Sequence, residues 1–179
     1  TRFQNGGSVW SSVQSHFERL TEPFAIRSDQ HIPVGDYRFH TWILSLSSDP
    51  SRLFSGDVRV TTGDFFDGDR NSFRSTARFQ QPGLRAEVSW QHDDVRLPLG
   101  SFDTNLLATR VTYSFNPSMF LNALIQYNSD QKEIRSNIRF NIIHKPLSDF
   151  FLVYNETRSS TGEILGRALI GKLTYMFSL

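Results

Sequence analysis

Eight basic side chains lie at alternating positions in segments whose other positions are mostly apolar. Successive side chains of an extended strand point to opposite faces, so these groups would share the face opposite the apolar side chains. Only two acids, Asp57 and Glu87, join them there. Because guanidinium and ammonium groups attract carboxylates and phosphates, we predict a cationic wall that contacts anionic solutes, acidic saccharides or phosphates. The basic side chains are Arg59, Arg74, Arg78, Arg85, Arg110, Arg135, Arg139 and Lys172.

A second set of polar side chains lies in two predicted loops and could support hydrolysis or hold a divalent cation through oxygen ligands. The aspartates near Gly68 lack the spacing of an EF-hand, and Asp-Gly is first of all a tight-turn pair. The five histidines show no metal-ligand spacing, and no Ser/His/Asp arrangement stands out. We therefore assign no catalytic residue, metal site or cofactor from sequence. The side chains concerned are Asp64, Asp67, Asp69, His92, Asp93 and Asp94.

These residues sit in a chain that alternates apolar and polar side chains along most of its length. The final stretch, 166–179, is the clearest case, with Leu169, Leu173, Tyr175 and Phe177 on one side. Period-two alternation predicts extended strands. We count ten such segments, beginning near Val9, and no helical pattern longer than a turn or two. Residues 21–35 and 92–101 are predicted to be loops.

The predicted connections alternate in kind along the chain. Pro50, Pro82, Pro117 and Pro146 follow one another at intervals of 32, 35 and 29 residues, each in a tight turn. The connections between them are longer and richer in charge. Short turns at one end and long loops at the other are typical of outer-membrane barrels. We therefore predict an antiparallel transmembrane β-barrel of about ten strands, formed by residues 1–179 as one domain.

Composition agrees with this interpretation and excludes several others. The chain has 19 basic and 18 acidic residues, so its total charge indicates neither a nucleic-acid nor an acidic partner. Aromatic residues make up 13% while the mean hydropathy is −0.37, as expected when apolar and polar residues alternate. No apolar segment approaches the ~20 residues of a membrane helix. Cysteine is absent, which removes disulfides, and the lack of an initiator Met predicts a processed chain or a fragment.

Several segments carry a resemblance to one family: IPVGDYRF at 32–39, GDFFDGDR at 63–70, LPLGSFDTNLL at 97–107, NIRFNIIHKPLSDFFLVYNE at 137–156 and the closing RALIGKLTYMF. They resemble the C-terminal region of a bacterial outer-membrane protein family of unknown function, in which a carbohydrate-binding-family-9-like domain precedes a large β-barrel. The resemblance implies a Gram-negative outer-membrane location. It also implies insertion by the barrel-assembly machinery through a C-terminal aromatic signal, here Tyr175, Phe177 and Leu179. Members often end in Phe, whereas this chain ends in Leu. The family has no established catalytic residues.

Three functions follow from these observations. The first is a porin-like passive conduit or membrane anchor in contact with outer-membrane lipid, linked to saccharide handling and forming the end of a larger barrel. The second is an outer-membrane enzyme whose chemistry lies on loops that carry Asp64, Asp67, His92, Asp93 and Asp94. The third is a soluble β-barrel that binds a hydrophobic ligand and turns its apolar faces inward.

Overall fold

The computed structural model describes residues 1–27, 30–145 and 147–176, and these residues form an antiparallel all-β protein without helices. No described segment is a helix long and apolar enough to cross a bilayer. The strands are β1 (Ser8–Leu20), β2 (Phe24–Arg27), β3 (Gln30–Ile32), β4 (Gly35–Ser47), β5 (Phe54–Phe65), β6 (Gly68–Gln81), β7 (Leu84–Leu97), β8 (Gly100–Asn116), β9 (Met119–Asn128), β10 (Glu133–Lys145), β11 (Ser148–Ser159) and β12 (Ile164–Thr174).

Ten of the strands form one sheet in the order β1-β4-β5-β6-β7-β8-β9-β10-β11-β12, and β2 pairs with β3 in a second, two-stranded sheet. Each strand of the large sheet neighbours the next large-sheet strand along the chain, as consecutive hairpins require. The antiparallel order is confirmed, and the ten predicted strands correspond to the ten strands of the large sheet. The β2–β3 pair was not predicted and brings the number of described strands to twelve. Within the described residues the order ends at β1 and β12, so closure into a barrel stays a prediction.

The predicted loops are shorter in the structure than the sequence suggested. The segment predicted as a loop at 21–35 contains the β2–β3 hairpin, and most of 92–101 belongs to β7 and β8. The predicted connection at 64–70 shrinks to Phe66 and Asp67. These three errors share one cause: a strand that carries charged or polar side chains on both faces shows no hydropathy alternation. The predicted contrast between short turns and long loops is therefore weaker than expected. Turns at Pro50, Pro82 and Pro117 are confirmed, whereas Pro146 lies outside the described residues.

The chain divides into two compact units. The first unit comprises Thr1–Asp49, Gly56–Ser75 and Gln91–Thr104, and the second comprises Pro50–Ser55, Thr76–Trp90 and Asn105–Leu179.

The first unit contains a small hydrophobic core, the cap cluster, formed by Ile32, Phe66, Val95 and Leu97. Phe66 adopts a left-handed φ of 54°, which turns the chain between β5 and β6. Its ring lies 5.2 Å from that of Tyr37 and 5.5 Å from that of Phe39, measured between centroids. Ile32 in β3 is only 2% exposed. The β2–β3 hairpin is thus held by apolar contacts with the strand ends of its own unit.

Replacing Ile32 with Val is expected to weaken the first unit. Removing a buried methylene from a core isoleucine costs about 0.5–1.5 kcal/mol of unfolding free energy. Amide hydrogen exchange in β3 and at Leu97 should accelerate accordingly. The matched control is Val34→Ala, because Val34 lies two residues away and is exposed. Equal acceleration in both variants would contradict a packed cap cluster.

The register in the second unit separates two chemically different faces. Val111, Ala123, Ile138, Tyr154 and Leu169 are partners across five neighbouring strands and form one apolar row. A second apolar row, displaced by two residues, runs through Tyr113, Leu121, Phe140, Leu152 and Gly171. We call the side of the sheet that carries these rows the apolar face and the opposite side the polar face.

Candidate functional site

The polar face of β8–β11 carries a ladder of amide and hydroxyl side chains. Asn137 lies opposite Asn155 in the register and donates from Nδ2 to its Oδ1 at 2.5 Å. Thr112 donates to the Oδ1 of Asn122 at 2.9 Å. Adjacent strands place these short side chains side by side because cross-strand partners share a face. The polar face of these strands therefore presents amide and hydroxyl groups to a polar ligand.

Three open hollows follow this ladder. One of about 190 Å³ is lined by Gln126, Asn128 and Arg135, among others. The next, also of about 190 Å³, again includes Gln126 and Arg135 and reaches Asn137 and Asn155. The third, of about 260 Å³, includes Asn137 and lies between Arg110 and Arg139. Because neighbouring hollows share side chains, they form one continuous row, which we call the polar row.

Predicted cations flank the polar row and continue beyond it. Arg135 pairs with Glu133 at 2.9 Å, and Arg110 approaches Glu87 at 3.8 Å. Arg139 and Lys172 instead lie over the ring of Phe151, at 5.9 and 5.7 Å from its centroid. Neither of these two forms an ion pair with a described carboxylate. The polar row therefore combines amide groups with an excess of positive charge.

The remaining predicted cations lie in neighbouring strands of their own units. In the second unit, Arg78 donates from Nε to Glu87 at 2.9 Å, and Arg85 donates from Nη2 to Gln80 at 2.8 Å. In the first unit, Arg59 donates to the Oγ of Ser45 at 2.9 Å. Arg74, also in the first unit, donates from Nε to Gln91 Oε1 at 2.9 Å. Arg110, Arg135 and Arg139 thus come together at the polar row, with Lys172 close by on β12.

The acidic and histidine side chains considered for catalysis are dispersed among local partners. Asp64 lies 3.8 Å from His40, Asp94 pairs with Arg96 at 2.9 Å, and Asp93 accepts a hydrogen bond from Gln91 at 2.6 Å. Within residues 1–27, 30–145 and 147–176, no three His, Asp or Glu side chains are arranged to hold a metal ion.

A cluster on the apolar face was missed by the sequence analysis. The carboxylate of Glu156 accepts hydrogen bonds from Tyr154 at 2.5 Å and from Arg167 at 2.6 and 2.8 Å, and it also pairs with Arg158. In the sequence, charged residues at 156, 158 and 167 interrupt the apolar positions of β11 and β12. This interruption is the signal from which the cluster could have been predicted.

The predicted assembly signal is only partly within the described residues. Tyr175 follows β12 and is exposed. Phe177 and Leu179 lie outside the described residues, so their roles stay predictions.

The fold and the site together define an antiparallel all-β protein with one apolar face and one face rich in amides and arginines. Comparison with protein-family models, with curated proteins and with solved structures finds no match to the chain.

Proposed function

We propose that the chain forms part of the wall of a Gram-negative outer-membrane β-barrel, with its apolar face toward lipid and its polar face toward an aqueous lumen. The observation that carries the proposal is the exposure of large apolar side chains on one face of the second unit. Leu169 is 67% exposed and Leu173 is 73% exposed. An aqueous protein normally covers such a face with a second layer, whereas a bilayer would cover it with acyl chains.

Strand length supports the same proposal. The strands β4–β12 contain 10 to 17 residues each. Soluble proteins use strands of about 5–6 residues, while a tilted membrane strand needs ~9–11. The strands β4–β12 are therefore long enough to cross a bilayer.

Aromatic side chains lie at both ends of the apolar face, as in the belts of membrane barrels. Near the proline turns, the ring of Phe115 lies 4.7 Å from that of Tyr113 and 6.2 Å from that of Phe140. Trp90, Tyr127 and Tyr154 occupy the other end in our proposal. Amphipathic rings at two depths would fix the position of the sheet in the bilayer.

The polar row supports a conduit that favours anions over cations. Arg139 and Lys172 have no carboxylate partner among the described residues, and Arg110 and Arg135 flank hollows lined by amides. Positive charge on the wall of a narrow passage raises the local concentration of anions. We propose small anions or acidic saccharides as the solutes. The alternative role in this proposal is a membrane anchor for an exported saccharide-binding domain. That role needs the same barrel but no passage of solutes through its lumen.

The family resemblance of the sequence is consistent with this location and adds a partner. In the proposal, the barrel-assembly machinery recognises the terminal strand through Tyr175, Phe177 and Leu179. A closed barrel would also pair the backbone groups of β1 and β12 that have no strand neighbour in the described sheet, because unpaired edges are not stable in lipid.

Membrane fractionation of the expressed full-length protein tests the proposal. We expect the protein in the outer-membrane fraction, and we expect faster migration on a detergent gel when the sample is not boiled. Recovery of a folded protein in the soluble fraction without detergent would overturn it. The apolar faces would then have to be covered by protein, as in the soluble β-barrel considered above.

A further inference from the structure

The missed cluster at β11 and β12 holds two guanidinium groups around one carboxylate. The side chain of Glu156 is 8% exposed, whereas those of Arg158 and Arg167 are 43% and 49% exposed. We call these two residues the arginine pair. Both oxygens of Glu156 are occupied, since Oε1 pairs with Arg158 and Oε2 accepts from Tyr154 and Arg167. The carboxylate thus orients both arginines while they remain accessible.

The arginine pair sits where the apolar face ends. Glu156 is the register partner of Arg167, and the next inward pair on the same face is Tyr154 with Leu169. Two residues along a strand correspond to ~6.6 Å, so charged and apolar groups lie within reach of one amphiphilic molecule. This end of the sheet is opposite the turns that carry Pro82 and Pro117. In the proposed barrel it is the extracellular end.

The charge and donor count of the cluster leave room for an anion. Two guanidinium groups and one carboxylate give a surplus of one positive charge, and each guanidinium has five N–H donors. Arg158 donates from its Nε, and Arg167 donates from Nε and Nη2, so several donors stay available. Planar guanidinium groups suit phosphate because they can donate two hydrogen bonds at once.

A purely structural role explains Arg167 better than it explains Arg158. The Glu156–Arg167 pair joins β11 to β12, so it ties the terminal strand to its neighbour. Arg158 lies on the same strand as Glu156, two residues away, and its bond to Glu156 links no two strands. A link between strands therefore does not account for Arg158, which lies beside Arg167 with its guanidinium accessible.

We propose that the arginine pair binds the phosphate group of a phosphorylated glycolipid of the outer leaflet, while the acyl chains lie along the apolar rows. This inference rests on the membrane location proposed above. The apolar side chains beside the pair favour a lipid over free phosphate, because only the lipid uses both surfaces.

Binding of purified lipid A to the full-length protein in detergent micelles, measured by native mass spectrometry, tests the inference. Arg158→Gln with Arg167→Gln is expected to weaken binding at least about tenfold, because it removes the charge-assisted hydrogen bonds to the phosphate. The matched control is Arg2→Gln with Lys145→Gln, which removes two exposed positive charges outside the arginine pair and the polar row and should bind as the wild type does. Arg158→Gln alone should also weaken binding, and it keeps the bond between β11 and β12 if the double variant fails to fold.

Three results would overturn the inference. They are unchanged binding in the folded Arg158→Gln variant, equal weakening by the Arg2→Gln with Lys145→Gln control, and full displacement of lipid A by millimolar inorganic phosphate. The last would identify a site for free phosphate. A wrong proposed function gives a different result: the wild-type protein is then absent from the outer membrane, which is seen before any lipid is added. The two failures are therefore distinguishable.

Discussion

Leu169→Arg is expected to prevent stable insertion of the protein into a bilayer, whereas Ile170→Arg on the next residue leaves insertion intact. Leu169 lies on the apolar face opposite Tyr154, and Ile170 lies on the polar face opposite Val153. An arginine facing lipid costs up to about 2–4 kcal/mol, with the cost greatest at the bilayer midplane and smaller toward the interface, while one facing the lumen stays in water. The two variants carry the same new charge on the same strand.

The pair separates a membrane barrel from a water-soluble sheet. Both side chains are well exposed in the structure, at 67% for Leu169 and 50% for Ile170. In a soluble protein, exposed substitutions away from special features usually change stability by less than about 0.5 kcal/mol, so both variants would fold alike. The measurement is the folded fraction on an unboiled detergent gel after refolding into phospholipid vesicles, followed by urea titration. Equal stability of the two variants would contradict the assignment of faces.

The strands with clean alternation were predictable from sequence alone. The bounds expected for the seventh strand, 119–128, are those observed for β9, because every second residue from Met119 to Tyr127 is apolar, whereas half of the residues between them are polar. The order of the sheet followed as well, since tight turns between successive strands leave antiparallel neighbours as the simplest arrangement.

Other parts of the fold depend on contacts between segments distant in sequence. Ile32 sits in a stretch with prolines and charges that predicts a loop, and it becomes the most buried large side chain only because Phe66, Val95 and Leu97 converge on it. The role of Glu156 also depends on its neighbours. Its carboxylate meets Arg167 because the register of β11 and β12 makes them partners, and sequence spacing does not fix a register.

The polar row was predictable in charge but not in detail. Alternation placed Arg110, Arg135 and Arg139 on one face, and the structure gathers them around shared hollows. The amide ladder of Asn122, Asn137 and Asn155 escaped notice because asparagine in a strand looks unremarkable until its cross-strand partners are known. The contact between Arg139, Lys172 and Phe151 likewise required the register.

Reversing the charge of the polar row is expected to reverse the ion preference of the conduit. Single-channel reversal potentials in a salt gradient should show that the wild-type protein prefers anions. In the variant Arg110→Glu with Arg139→Glu, two carboxylates replace the two guanidinium groups that line the hollow of about 260 Å³ on the polar row. Two unit charges about 4 Å apart interact by about 1 kcal/mol even in water. The ratio of cation to anion permeability should therefore rise several-fold.

The control for this prediction is Lys132→Glu, which makes one such charge reversal, half the change of the double variant, in the turn between β9 and β10 rather than on the polar face. Its effect should be smaller and should vanish at high salt, because a solvated charge is screened within about 10 Å at 0.1 M. Cation preference of the wild-type channel would contradict the anion-selective lumen while leaving the membrane location standing. An equal effect of Lys132→Glu would assign selectivity to the rim. A larger effect of the double variant, retained in high salt, would assign it to the arginines of the polar row.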